Sequence, residues 1–190
     1  MELDSDDVAV LGSERSTEAD CILELAPFKV YELKLTKERI TWLWGNMSKS
    51  RTLFSDLTRG DYDNFIKLIA DPHSFWLEVC RGDEPIGVIY FEQLYRVTDC
   101  EAHISFFDGL KRIDEKLQLC KKLIRWAFGY FQVQRISVCV PRIYFGTVLF
   151  AKKVGFIQEG RRRDVYRMGG QWVDELLFGI TRGDVNGWID

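Results

Sequence analysis

Three stretches of this 190-residue chain carry side chains able to do chemistry. The first runs from Glu101 to Phe107. In an extended chain, period-two alternation puts Glu101, His103, Ser105 and Phe107 on one face. A carboxylate and an imidazole would then lie side by side, and either could take a proton from a nucleophile, directly or through water. Glu92 is a third candidate base. The second stretch, Lys111-Arg112-Ile113-Asp114-Glu115-Lys116, offers cations that could hold a phosphate, or simply a solvated loop. The third holds a phenol and a hydroxyl, Tyr144 and Thr147, at helical spacing. No Ser-His-Asp or phosphate-loop pattern accompanies them. The five cysteines are odd in number and widely spaced, with no Cys-x-x-Cys pair and only two histidines, His73 and His103. That spacing gives no metal site and reads as free thiols in a reducing cytoplasm.

The elements that must position these groups follow from periodicity. Phe28–Leu33 alternates as a strand. Thr36 caps a helix carrying Ile40, Leu43, Trp44 and Met47 along one side, and Asp61–Ala70 is a second helix. Strands over 74–80, 86–95 and 101–107 follow, the first two joined by the turn at 81–85. A long helix runs from Asp114 to about Tyr130, its stripe formed by Leu117, Cys120, Leu123, Ile124, Ala127 and Phe128. Asp114 suits its N-cap. A strand over 135–140, a short helix over about 144–154 closed by Gly155, and two strands meeting at Gly169-Gly170 complete the chain. The order after Ser74 is β-β-β-α-β-α-β-β. Its β-α-β centre predicts an α/β (α+β) fold, with one parallel pair inside a mostly antiparallel sheet and helices flanking it.

Composition sets the frame. Hydrophobic residues make up 46% and charged residues 29%, as in an ordinary soluble domain and unlike a disordered chain. No apolar run is long enough to span a membrane, and the acidic start is neither a signal nor a transit peptide. Residues 1–20 hold seven acids and one base, net −6; with −3 overall, the rest is +3. We therefore expect an acidic tail over 1–20, solvated or used for docking, and a single domain over 21–190. The net charge gives no reason to expect nucleic acid. Arg-Gly-Asp occurs three times, at 59–61, 81–83 and 182–184, and reads as loop chemistry. Arg161-Arg162-Arg163 would split between two faces of a strand and suits an edge protected against aggregation. Trp42, Trp44, Phe54, Phe75 and Trp76 read as core, some of them lining a pocket.

The element order and the segment Val148-Leu149-Phe150-Ala151-Lys152-Lys153-Val154-Gly155-Phe156-Ile157-Gln158-Glu159-Gly160 resemble the GCN5-related N-acetyltransferase superfamily. Gly170-Gln171-Trp172-Val173-Asp174-Glu175-Leu176-Leu177-Phe178 is similar to the last hairpin of the branch that acetylates protein N-termini and small amines. The resemblance implies an acetyl-CoA-dependent N-acetyltransferase, a cytoplasmic transferase acting on a protein N-terminus, a lysine or a small amine. Its cofactor would lie where the strands at 101–107 and 135–140 splay. Ile104, Ser105 and Phe106 would pair with the pantetheine chain, Lys111, Arg112 and Lys116 would contact the pyrophosphate at the long helix, and Thr147 would bond the cofactor. Glu101 or His103 would be the base, with Tyr144 as a distant acid. The sequence departs from the family where Asp114 and Lys116 replace the small residues of the phosphate loop, and where Phe150 stands at a tyrosine position. Those departures favour an alternative, a fold-retaining binding or regulatory module without catalysis. The last hairpin also offers an edge for a homodimer.

Overall fold

A computed structural model describes residues 21–49, 61–94, 96, 98–109 and 111–188. The expected tail, Phe54 and most of the first Arg-Gly-Asp lie outside the described residues. Among these, eight strands form one sheet in the order β1-β2-β3-β4-β5-β6-β8-β7. The strands are β1 (Cys21–Leu25), β2 (Phe28–Glu32), β3 (Phe75–Arg81), β4 (Glu84–Glu92), β5 (Asp99–Phe106), β6 (Arg135–Pro141), β7 (Ile157–Met168) and β8 (Gln171–Thr181). Every neighbouring pair is antiparallel except β5 and β6. This is the mixed sheet that the β-α-β centre required.

Helices cover both faces. On one lie α1 (Lys37–Met47) and α2 (Tyr62–Ile69), whose Leu43, Met47, Phe65 and Ile69 pack on Trp76, Val88 and Tyr90. On the other lie α3 (Ile113–Phe131) and α4 (Phe145–Val154), over Leu77, Ile89, Phe91, Ile136, Val140 and Phe178. A one-turn α5 (Arg182–Val185) follows β8. Side-chain caps start α1 and α2 where the sequence placed them. Thr36 Oγ1 accepts from the Arg39 amide and Asp61 Oδ1 from the Asn64 amide.

Four expectations change. Residues 21–25 form a strand that the sequence reading left out. The strand expected to reach 95 stops at Glu92, because Gln93 has a φ of 60° and turns the chain. Asp114 is not the N-cap of α3. Arg112 holds that position in a left-handed conformation and supplies no side-chain cap, so Asp114 sits within the first turn. The Arg-Gly-Asp at 182–184 forms a helical turn behind a capping box from Thr181 and Asp184, while the one at 81–83 does lie at the β3–β4 turn, with Gly82 at φ 59°. β7 is the sheet edge, as the arginine run suggested.

Candidate active site

β5 and β6 are hydrogen-bonded over three residue pairs only, Asp99 to Arg135, Cys100 to Ile136 and Glu101 to Ser137. Beyond them the strands part. β5 continues against β4 as far as Phe106, and β6 against β8 as far as Pro141. The gap is therefore a wedge inside the sheet, bordered by strand backbone. A cavity of about 300 Å3 fills it. Its walls are Ala102 and Ile104 from β5, Val138 and Val140 from β6, Leu123 from α3 and Phe150 from α4. Thr147 also lines it. The cavity reaches Tyr90, His103, Cys139 and Tyr166 towards the α1–α2 face, so it passes through the sheet.

The acid–base residues collect at that far mouth. His103 Nε2 lies 3.0 Å from Glu92 Oε2 and 3.6 Å from Glu101 Oε1. The β4–β5 register sets Glu92 directly opposite Glu101 and Tyr90 opposite His103. The His103 ring stacks on Tyr90 at 4.5 Å and 9°, and Tyr90 stacks on Trp76 at 4.0 Å and 11°. Three strands thus contribute one column of flat rings, which fixes the plane of the imidazole. Gln93 Nε2 donates to Glu101 Oε2 at 3.3 Å. Tyr144 also lines the wedge, but away from this mouth. It is the N-cap residue of α4, packs on the α3 side of the sheet, and its hydroxyl contacts Met168 Sδ at 3.3 Å. Ser105 faces the α1–α2 side beside His103, and Phe106 packs edge-on to Phe150 at 6.3 Å.

Sequence reading missed three residues at the mouth. The Tyr166 hydroxyl donates to Glu175, a carboxylate 1% exposed that also pairs with Arg162. Burial, then this hydrogen bond, raises the Tyr166 pKa and keeps the phenol protonated. Burial, then the charges of Glu101 and Glu175, pushes the Cys139 thiol up to about 12. Alternation along 135–141 could have shown that Cys139 shares a face with Ser137. Its proximity to Glu101 needed the register.

The start of α3, where the sequence reading expected phosphate contacts, is built differently. Lys116 is fully buried. Its ammonium donates to Asp108 Oδ1 at 2.5 Å and to the Gly109 carbonyl at 2.6 Å, over the Phe106 ring. It is thus committed to the loop beneath the helix and does not face outward for a phosphate. Lys111 and Arg112 are exposed. Arg112 lies 3.6 Å from Glu115, and Arg81 lies 3.8 Å from both Asp108 and Glu115. Arg112 gives α3 no side-chain cap, and an uncapped helix start is an arrangement an anion can use.

No family model matches the sequence, and no curated protein matches it. Solved structures do. The spermidine N-acetyltransferase from Vibrio cholerae in complex with CoA and spermine superposes with a TM-score of 0.69 at 14% identity, over 86% of this chain and 100% of that one. A chimera of that enzyme with hSSAT gives 0.72 at 14% identity, over 86% and 100%. A probable acetyltransferase gives 0.67 at 18% identity, over 89% and 99%. This is the GCN5-related N-acetyltransferase fold. Among the described residues no group of His, Cys, Asp or Glu could hold a metal, and no helix is long and apolar enough to cross a membrane.

Proposed function

We propose that the chain is an acetyl-CoA-dependent N-acetyltransferase that acetylates a primary amine. One observation carries the proposal. An apolar wedge between β5 and β6 crosses the sheet and reaches His103, whose Nε2 lies 3.0 Å from Glu92 and 3.6 Å from Glu101. The wedge fits a narrow, flexible thioester-bearing chain, and its unpaired strand edges supply backbone donors and acceptors for that chain. The uncapped start of α3 fits a diphosphate, with Lys111 and Arg112 at its surface. Asp114 and Glu115 oppose one, so binding is weaker than with small residues there.

In this reading the thioester carbonyl sits at the narrow end of the wedge and the amine enters from the α1–α2 face. His103, its plane fixed by Tyr90 and its nitrogen close to two carboxylates, accepts the amine proton directly or through water. Backbone N–H groups of β5 support the carbonyl oxygen as charge develops on it. Most of the rate comes from holding amine and thioester in line. Phe150 offers no proton to the departing thiolate, so that proton comes from solvent or from the amine itself.

A second reading rests on Lys116. By filling its own loop with a buried ammonium, the chain orders the phosphate region without a ligand, as a binding module that had lost its cofactor would. One experiment separates the two. Full-length protein is incubated with isotopically labelled acetyl-CoA and a panel of primary amines, and products are read by mass spectrometry. The proposal expects a labelled N-acetyl product whose formation falls in His103→Ala. The binding-module reading expects none.

A further inference from the structure

A second cavity, of about 380 Å3, opens on the same sheet face as the acid–base residues. Cys139 lines both it and the wedge, and Glu101 forms part of its wall, so the two spaces meet where β5 and β6 begin to part. Three arginines reach this second cavity from three places: Arg96 from the β4–β5 connection, Arg135 from the start of β6 and Arg162 from edge strand β7. Each holds an acid already. Arg96 lies 3.5 Å from Asp99, Arg135 Nη1 donates to Glu159 at 2.6 Å, and Arg162 pairs with Glu175. A guanidinium carries five N–H donors, and Arg162 uses one nitrogen, Nη2, for both Glu175 and Cys139. Exposure then orders the charges by depth. The side chains of Arg96 and Arg162 are 49% and 56% exposed, against 20% for Glu101 and 22% for Glu92. Asp99 and Glu159, 29% and 39% exposed, share the rim with the three arginines, which leaves it one positive charge in excess, while the floor next to the wedge is anionic.

We infer that the acceptor is a primary amine carrying a carboxylate a few bonds from its nitrogen. This rests on the acetyltransferase reading and specifies its substrate class. The ammonium group enters towards Glu101 and Glu92, beside His103, while the carboxylate stays at the rim with Arg162 and Arg96. A polyamine fits poorly, because its second ammonium would face the arginine rim. Two sources share the favoured chemistry: a free amino acid or dipeptide, and a protein N-terminus followed by an acidic side chain.

Binding of matched ligands, read by ligand-observed NMR on the full chain with and without coenzyme A, tests this without requiring turnover. One arm compares glycylglycine with glycylglycinamide. The other compares amidated peptides with Asp or Asn at the second position. Spermidine is the competitor. In at least one arm the carboxylate member should bind about tenfold more tightly, the scale of one charge-assisted hydrogen bond, and the arm that shows it identifies the source. The preference should fall below about threefold in Arg96→Ala and Arg162→Ala. Arg162→Ala strands the buried Glu175 carboxylate, so Arg162→Lys is measured beside it and should retain part of the preference. Equal binding within both pairs, no binding of either carboxylate ligand, displacement of both by equimolar spermidine, or a preference that survives undiminished in both Arg96→Ala and Arg162→Ala would overturn the inference. An intact preference with no acetyl product from any amine would count against the enzymatic reading alone.

Discussion

Replacing His103 with Gln should lower kcat by about a hundredfold or more, the usual contribution of a positioned general base, with little change in the KM for acetyl-CoA. Steady-state kinetics on purified variant check this, and an unchanged kcat would remove His103 from the chemistry. The neighbouring Cys139 makes the opposite kind of prediction. Its pKa, pushed up to about 12 by burial first and then by the carboxylates of Glu101 and Glu175, leaves the thiol protonated at pH 8. Cys21 is exposed. Limited alkylation at pH 8, mapped by mass spectrometry, should label Cys21 well before Cys139. Faster labelling of Cys139 would mean that the mouth of the wedge is more open and more cationic than described. At this scale the sequence was half legible. Alternation alone put Glu101 and His103 on one face. It could not place Glu92 against His103 or stack Tyr90 on the ring, because both depend on which residue of β4 lies opposite which residue of β5. Lys116 did leave a signal. It falls one turn before Cys120 on the apolar stripe of α3, so a charged residue was due to be buried there, but its charge suggested a surface role.

The wedge exists because β4 and β5 stay tightly paired while β5 and β6 part. Gly87 marks that tight pairing. A Cβ there would lie 2.5 Å from the Ser105 carbonyl oxygen, a backbone atom that cannot move aside without shifting β5. Gly87→Ala should cost about 1–3 kcal/mol of stability, as overpacked core sites do. It should also weaken acetyl-CoA binding more than Gly45→Ala, where a Cβ meets nothing within 4 Å. Denaturant unfolding and a ligand titration of both variants measure this, and equal stabilities would show that β5 yields easily. The loop before α3 carries a paired prediction. Lys116→Ala breaks a buried ion pair and should destabilise by about 3 kcal/mol or more. Asp114→Gly removes an exposed charge and should tighten coenzyme A binding several-fold; unchanged or weaker binding would reject this loop as the phosphate site. Turn chemistry was the most legible feature at this scale. Gly169 and Gly170 both take positive φ, 59° and 80°, as a tight hairpin between β7 and β8 demands. The start of α3 was not legible, since nothing in the sequence marks Arg112 as the residue that adopts the left-handed conformation.

As a whole, the molecule has the frame of an acetyltransferase fold, which by itself assigns no chemistry. Fold and chemistry can separate in this way because they draw on different residues. The buried apolar positions of β3, β4, α3 and β8 set the sheet and its covering helices, and their periodicity was readable from sequence. The second cavity and its arginine rim combine the β4–β5 connection, β6 and β7, far apart in the chain, so no local pattern announced them. Acetyl transfer requires the wedge to accept a coenzyme despite Asp114, Glu115 and the buried Lys116. The most direct measurement is the melting temperature of the full chain as acetyl-CoA is titrated to about a hundred times its dissociation constant. Binding to the native state alone then adds about 2.7 kcal/mol, a rise of roughly 5–10 °C for a domain of this size. A rise of that order that saturates with ligand is the predicted result; a melting temperature that stays fixed up to millimolar acetyl-CoA would contradict it.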